Sequence, residues 1–477
     1  MEEKKGLAKG ISFFGFLAFG IGCLFGAAWL VLTGTWLKAA GGPLNALIAM
    51  LICILMEIPF VLAYLEAVPM IPQAGGEVAY SFLAFNSFVG FIAGWFDILA
   101  MVALCAWESL AITKMAGYLI PGIANVQPLY SIGGFGVTPP LLIIGLVLIG
   151  AVGYMGYKGI KLSAKFQMIV TYANVALVLI AALLLAPHMR MVNFLQPLSV
   201  KPIFTGVVGL LAILPFAIAG WESIAKGAEE ANEGLSRAAV GRTMFLSLVI
   251  GGGLYMLAMF VATSIVPWQT LLQGSIPFAS AADLVLGSNI LGLVMVIAAL
   301  CGVLSVYNSC FFAATRLLYY MGKVGLMPAG FAKLHPKYNT PVGAVIFVTG
   351  LAAIAPFVGQ SAFLPLVDCI SFSFILLWTT TLLSVLRLRK TQPQLKRPVR
   401  LPALGVIGVL GLIVTVFMMV ALLYPHSPAA LVWPGEYILL AVLIVLGIIL
   451  YALRPKAISE HERAEMILGD ITRSIDS

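Results

Sequence analysis

The chain has 477 residues, of which 61% are hydrophobic. Only 10% are charged, against about 25% in a soluble domain, so an ordinary soluble fold is excluded and a membrane protein is indicated. The net charge of +8 suggests an acidic partner until its location is read.

A bilayer span needs about 20 apolar residues. Twelve such stretches are expected, at 11–37, 43–67, 86–119, 138–157, 165–187, 203–225, 241–265, 289–318, 341–358, 363–386, 403–424 and 434–453. With the N-terminus inside, 23 of the 27 Lys and Arg residues fall on the cytoplasmic side. This positive-inside asymmetry explains the charge, places both termini in the cytoplasm and leaves no need for a nucleic-acid partner. The short loops suit a bacterial inner membrane.

The first span follows a charged segment, Glu2 to Lys9, with no small-residue cleavage site, and reads as a retained helix. It contains Gly20-Ile21-Gly22-Cys23-Leu24-Phe25-Gly26. Glycine costs a helix interior about 1 kcal/mol relative to alanine. Either these glycines line close helix packing, or the helix is interrupted, with its freed backbone groups facing a cavity.

After the second span comes a stiff turn, Pro72-Gln73-Ala74-Gly75-Gly76. The third span carries Asp97, Trp107, Glu108 and Lys114. Asp97 and Glu108 are eleven residues apart, about three turns, so they share a face. Lys114 near the outer end can snorkel.

The sixth span contains Leu214-Pro215-Phe216-Ala217-Ile218-Ala219-Gly220-Trp221-Glu222-Ser223, a second weak point. Spans one and six each begin a block of five, and five is odd, so the blocks cross the membrane in opposite senses. Matching interruptions in inverted halves point to a secondary transporter's binding site. The expected architecture is all-α: one domain over 1–477, with inverted repeats at 11–187 and 203–386, two extra helices within 403–453 and a tail at 454–477. The acidic run Glu229-Glu230-Ala231-Asn232-Glu233 reads as a cytoplasmic turn, and 268–285 as an outside loop with a short helix. All six cysteines lie in spans without CxxC spacing, and the four histidines show no metal-ligand spacing. No metal or cofactor is expected, and no nucleophile–base pair suggests an enzyme. A channel or receptor would not need the paired interruptions.

In order along the chain, these motifs resemble the amino acid–polyamine–organocation (APC) permeases, which have the leucine-transporter (LeuT) fold. Gly20 to Ala28 resembles their GxGxxxGxG signature. Pro72 to Gly76 resembles the PxxGG turn, with Glu66 at the preceding acidic position. Glu229-Glu230 through Arg237 resembles the EE-x-x-NPxRxxP loop without its prolines, and Ala314 to Pro328 resembles SRxLYAMARDGxLP. Asn339-Thr340-Pro341 and Arg397-Pro398 fall where the family has TP and RP.

The resemblance implies a substrate site between the two interruptions, including Ile21, Gly22, Gly26, Ala27, Ala28, Glu108, Phe216, Ala219, Gly220 and Glu222. Freed N–H groups of span one suit a carboxylate, and freed carbonyls of span six suit an ammonium. The family's small triplet, often GSG, is Gly26-Ala27-Ala28 here, followed by Trp29, which weakens the carboxylate half. Glu222 sits where the arginine/agmatine and putrescine/ornithine antiporters have a glutamate, and Glu108 where the former has a substrate-facing tyrosine. A buried acid usually has a partner or a function. Glu222 either binds an amine or bonds freed backbone N–H groups; Glu108 either binds an amine or pairs with another cation. Phe216 falls at the aromatic gate position, with Trp221 as a second gate candidate. Glu57, Asp97 and Asp368 have no assigned motif role.

The expected function is secondary transport of an amino acid or related organic amine, leaning to cationic or decarboxylated amines, with neutral amino acids as the alternative. The position of a proton-coupling lysine in some relatives is Asn174. Ser305, Asn308 and Ser309 could give oxygens to sodium, Glu222 or Glu108 could carry a proton, and exchange needs neither. Beyond the substrate and the lipid bilayer no partner is implied, and monomer and homodimer both stay open.

Overall fold

The computed structural model describes residues 9–476 apart from 125, 196, 212, 275, 428 and 429. It is helical throughout except for one short hairpin. Among the described residues, ten stretches are long and apolar enough to cross a membrane. The stretch expected as the sixth span is not among them, and the ninth and tenth lie within the continuous stretch Val342–Thr391.

The first apolar stretch begins at α1 (Phe13–Leu24), capped by the Ser12 hydroxyl accepting from the Gly15 N–H at 3.1 Å. Helical bonding resumes at α2 (Ala28–Val31) and α3 (Thr33–Ala40), which ends at left-handed Gly41 (φ 76°). α4 (Pro43–Met70) starts on Pro43, whose missing N–H costs nothing at a first-turn position. The Gly75-Gly76 turn leads into α5 (Glu77–Ala84). The longer α6 (Ser87–Leu119) is capped by Asn86, whose side chain accepts from the Val89 N–H.

Strands β1 (Tyr130–Ile132) and β2 (Phe135–Val137) pair antiparallel. Gly133 and Gly134 between them, both with positive φ, make the two-residue turn that such a hairpin favours. This hairpin is missing from the all-α expectation, because three-residue strands carry too little alternation to read. α7 (Pro139–Lys158) and α8 (Ile160–Leu185) follow.

The 203–226 stretch is divided into α9 (Ile203–Leu211), α10 (Pro215–Ile218) and α11 (Ser223–Lys226). Then come α12 (Arg237–Ile265), α13 (Pro277–Leu286), which is the helix expected in the 268–285 loop, and α14 (Ile290–Lys323). The longer helices that follow are α15 (Val342–Ala352), α16 (Phe363–Thr391), α17 (Leu404–Leu423), α18 (Gly435–Ala452) and α19 (Glu460–Asp476).

The most buried apolar stretch is the first, Phe13–Val31. α1 packs against α8, α12 and α14 at once, so it runs through the middle of the bundle. α6 packs against α14 and α16 on the other side of the same core. α17 and α18 turn Val406, Ile413, Val416, Val442 and Ile448 outward, more than half exposed, as helices against lipid do.

Candidate functional site

Two chain segments without regular helix meet near the centre of the bundle. In the first, Phe25 and Ala27 flank Gly26 between α1 and α2. The N–H groups of Gly26, Ala27, Ala28 and Trp29 donate to no backbone carbonyl among the described residues. Two carbonyls at this point are held by neighbouring helices. The Tyr255 hydroxyl donates to Leu24 O at 3.0 Å, and Asn174 Nδ2 donates to Phe25 O at 2.9 Å.

At the second, where α10 ends before α11, the carbonyls of Phe216, Ala217 and Ile218 in α10 and of Ala219 after it accept no hydrogen bond among the described residues. Gly220 takes φ 111°, a conformation that L side chains rarely adopt. A Cβ on Gly220 would lie 2.9 Å from Cys23 C, O and Sγ, so the second segment touches the last turn of α1, just before the first, through this glycine. Free donors in one and free acceptors in the other, held at bilayer depth, are what a ligand carrying both charges needs.

The acids divide in their surroundings. Both oxygens of Glu222 accept from the Gly220 N–H, at 3.0 and 3.1 Å, so this carboxylate holds the freed backbone. Glu57, half the bundle away in sequence, accepts from Trp221 Nε1 at 2.7 Å. Glu108 is buried and differs from both. A Cβ on Gly26 would come within 2.7 Å of its Oε1. Its Oε2 has no hydrogen-bond partner among the described residues, and no cation there pairs with it.

Of the two gate candidates, Phe216 packs on Trp107, with ring centroids 4.8 Å apart, and Trp107 in turn meets Phe363 at 4.6 Å. This aromatic cluster adjoins Glu108 in the chain. Trp221 faces elsewhere: it lies edge-on to Tyr64 and stacks on Trp378. Trp107 and Phe363 had no site role in the sequence reading, because an aromatic in a span is usually core. The helix spacing of Trp107 beside Glu108 was the available signal.

The candidate ion ligands belong to a polar cluster joining α1, α8 and α14. Gln167 Nε2 donates to Ala18 O, Thr171 Oγ1 and Ser305 Oγ at 3.2, 3.0 and 2.7 Å. Asn308 Nδ2 donates to Gln167 Oε1 at 2.7 Å, and Ser309 Oγ donates to Phe19 O at 3.2 Å. A Cβ on Gly22 would collide with Ser305 Oγ, Gln167 Nε2 and Thr171 Oγ1 within 2.1–2.3 Å, so Gly22 lets this cluster close on α1. Ile21 and Ala27 are buried in the same region. A narrow, mainly apolar cleft lies apart from the meeting point, between α4, α16 and α17, and reaches Glu57 and Pro215. It lacks the free backbone groups and carries no site argument.

Residues 11–450 match the family model described as Amino acid permease. The chain is 26% identical over 435 residues to the methylthioribose transporter of Bacillus subtilis (strain 168), covering 88% of this chain and 90% of that protein. It is 25% identical over 457 residues to the branched-chain amino acid permease BcaP of the same organism, 94% of each. It is also 30% identical over 419 residues to the glutamate/serine transporter AimA of that organism, 84% of this chain and 75% of AimA. The match spans nearly all the apolar helices, and the relatives are transporters, not enzymes. The chain is an integral membrane protein of the amino acid permease family, within the APC superfamily.

Proposed function

We propose that the protein is a secondary active transporter that moves an amino acid or related organic amine by alternating access. Its architecture in this reading is twelve crossings. The ten apolar stretches are joined by the divided 203–226 stretch, and Val342–Thr391 counts as two. The first ten form two inverted repeats of five, and the substrate lies between their interrupted first helices.

The observation that carries this reading is the pairing of free N–H groups at Ala27 to Trp29 with free carbonyls at Phe216 to Ala219. A carboxylate suits the first set and an ammonium the second. Glu108, buried beside Gly26 without a cation, adds negative charge where an amine would sit. An ionised acid in a membrane costs at least about 2.5 kcal/mol, so a cationic ligand there recovers part of that cost. The methyl of Ala28 crowds the carboxylate end, and the substrate class leans to cationic or decarboxylated amines. As named, the relatives' substrates run from branched-chain amino acids to glutamate and serine to methylthioribose. Family membership alone therefore sets no side-chain preference.

The test is uptake into proteoliposomes with arginine, leucine, serine, putrescine, agmatine and ethanolamine, as net uptake and as exchange. Transport of none of them overturns the reading; transport of leucine or serine alone replaces the cationic preference by a neutral one. Sodium is disfavoured as the coupling ion, because Gln167 Nε2 already lies on the oxygens of Ala18, Thr171 and Ser305. Replacing external sodium by choline is expected to leave the uptake rate unchanged. A rate that falls with sodium removal would restore Ser305 and its neighbours as ion ligands.

A further inference from the structure

Lys226 closes α11 and is fully buried. Its ammonium donates to Glu77 Oε1 at 2.7 Å and to the Glu222 carbonyl at 3.0 Å, and pairs with Asp97 Oδ2 at 2.8 Å. The partners come from different parts of the fold: Glu77 opens α5 after the Gly75-Gly76 turn, and Asp97 stands on α6. Both acids are as buried as the lysine.

The charges do not balance. Two carboxylates contact one ammonium, and the Glu222 carboxylate, held by Gly220, is only four residues from Lys226. Tyr64 and Tyr80, both buried phenols, also lie beside the cluster. Glu77 Oε2, both carboxylate oxygens of Asp97 and the Tyr80 hydroxyl have no hydrogen-bond partner among the described residues. A buried ion pair is tolerated when its charges are matched, and an unmatched buried charge costs several kcal/mol. One proton on either contacting carboxylate leaves a single contacting carboxylate for the one ammonium.

We propose that Glu77 and Asp97 share a proton-binding site around Lys226, separate from the substrate site, and that it is complete only while α11 is docked against α5 and α6. The idea rests on the alternating-access reading above. When α11 moves off α6, Asp97 and Glu77 lose the ammonium, meet water and release the proton. Re-docking requires a proton again. The cluster is then both a latch at the end of the bundle bearing Lys226 and a point where proton binding enters the transport cycle.

Asp97→Asn and Glu77→Gln in the full-length protein test this, because each mimics the protonated acid in shape and leaves one carboxylate for one ammonium. Two measurements are made on purified protein: thermal stability from pH 5.5 to 8.5, and proteoliposome uptake over the same range. A proton held in the folded cluster and lost on unfolding makes wild-type stability fall as pH rises. Either variant should flatten that fall. Wild-type uptake should change by up to about tenfold per pH unit where the proton titrates, and the variants should reduce the change to under about twofold while keeping exchange. Wild-type slopes in both variants overturn the proposal. So does failure of both variants to fold, since a neutral side chain at one position is what the proposal says the closed state contains. If the wild type moves no amine or amino acid, the transport reading fails, and the stability slopes still decide the proton site.

Discussion

Glu108→Gln is expected to lower uptake of a cationic amine by about 10- to 150-fold, while leaving the thermal stability of the protein unchanged or raised. The size follows from the loss of a charge-assisted hydrogen bond to the ligand, about 1.5–3 kcal/mol. The direction of the stability effect separates this from a structural role. Glu108 Oε2 is buried without a hydrogen-bond partner among the described residues, so ionised Glu108 is a cost to the empty protein. Its neutral isostere removes the buried charge. A structural carboxylate behaves in the opposite way. Glu222, whose oxygens hold the Gly220 N–H, is the internal contrast, since its removal frees a backbone donor. The readouts are initial uptake rates at several substrate concentrations and a melting curve of the purified variant. A variant with unchanged uptake and a lower melting temperature would move Glu108 from the site to the scaffold.

Much of the arrangement was legible along the chain, because membrane helices advertise themselves by length and apolarity. The glycines at 20, 22 and 26, and the Pro215 to Gly220 stretch, were recognisable as poor helix. Their offset of five spans suggested that they belong together. The reason each glycine is needed was not legible. Gly22 is required by Gln167, Thr171 and Ser305, and Gly26 by Glu108 and Val306, all remote in sequence. The polar cluster was half-read for the same cause. Ser305, Asn308 and Ser309 stood out as hydroxyl and amide groups in a span, but their acceptors depend on Gln167 and Phe19 from other helices. Asn174 was noted as a position where a lysine was missing. The amide that donates to Phe25 O there needs the fold to be seen. Trp221 and Phe216 are five residues apart, and sequence could not say that they face opposite ways. In sequence Lys226 is only a positive charge on the inner side, because nothing near it in the chain announces Glu77 and Asp97.

Gly220→Ala is expected to reduce uptake below about a tenth of wild type, through two costs that act at one atom. The first is conformational: a side chain held at φ 111° is strained by about 1–3 kcal/mol. The second is steric. The new methyl would sit 2.9 Å from the backbone carbon and oxygen of Cys23, and overpacking of this kind costs about 1–3 kcal/mol. Neither atom is the tip of a flexible side chain, so the relief must come from moving α1 and α10 apart. That separation would draw the free carbonyls at 216–219 away from the free N–H groups at 27–29, which is why transport should suffer more than folding. Gly234→Ala is the control, because Gly234 also has positive φ, 88°, but nothing lies within 4 Å of its added methyl. It carries strain without collision and should keep most of the uptake. Adding Cys23→Ala to Gly220→Ala should not rescue transport, since it removes the Sγ contact and leaves the two backbone contacts in place. Normal uptake by Gly220→Ala, measured at matched protein density in the vesicles, would mean that the second segment need not touch the last turn of α1. The site would then have to be built from side chains alone.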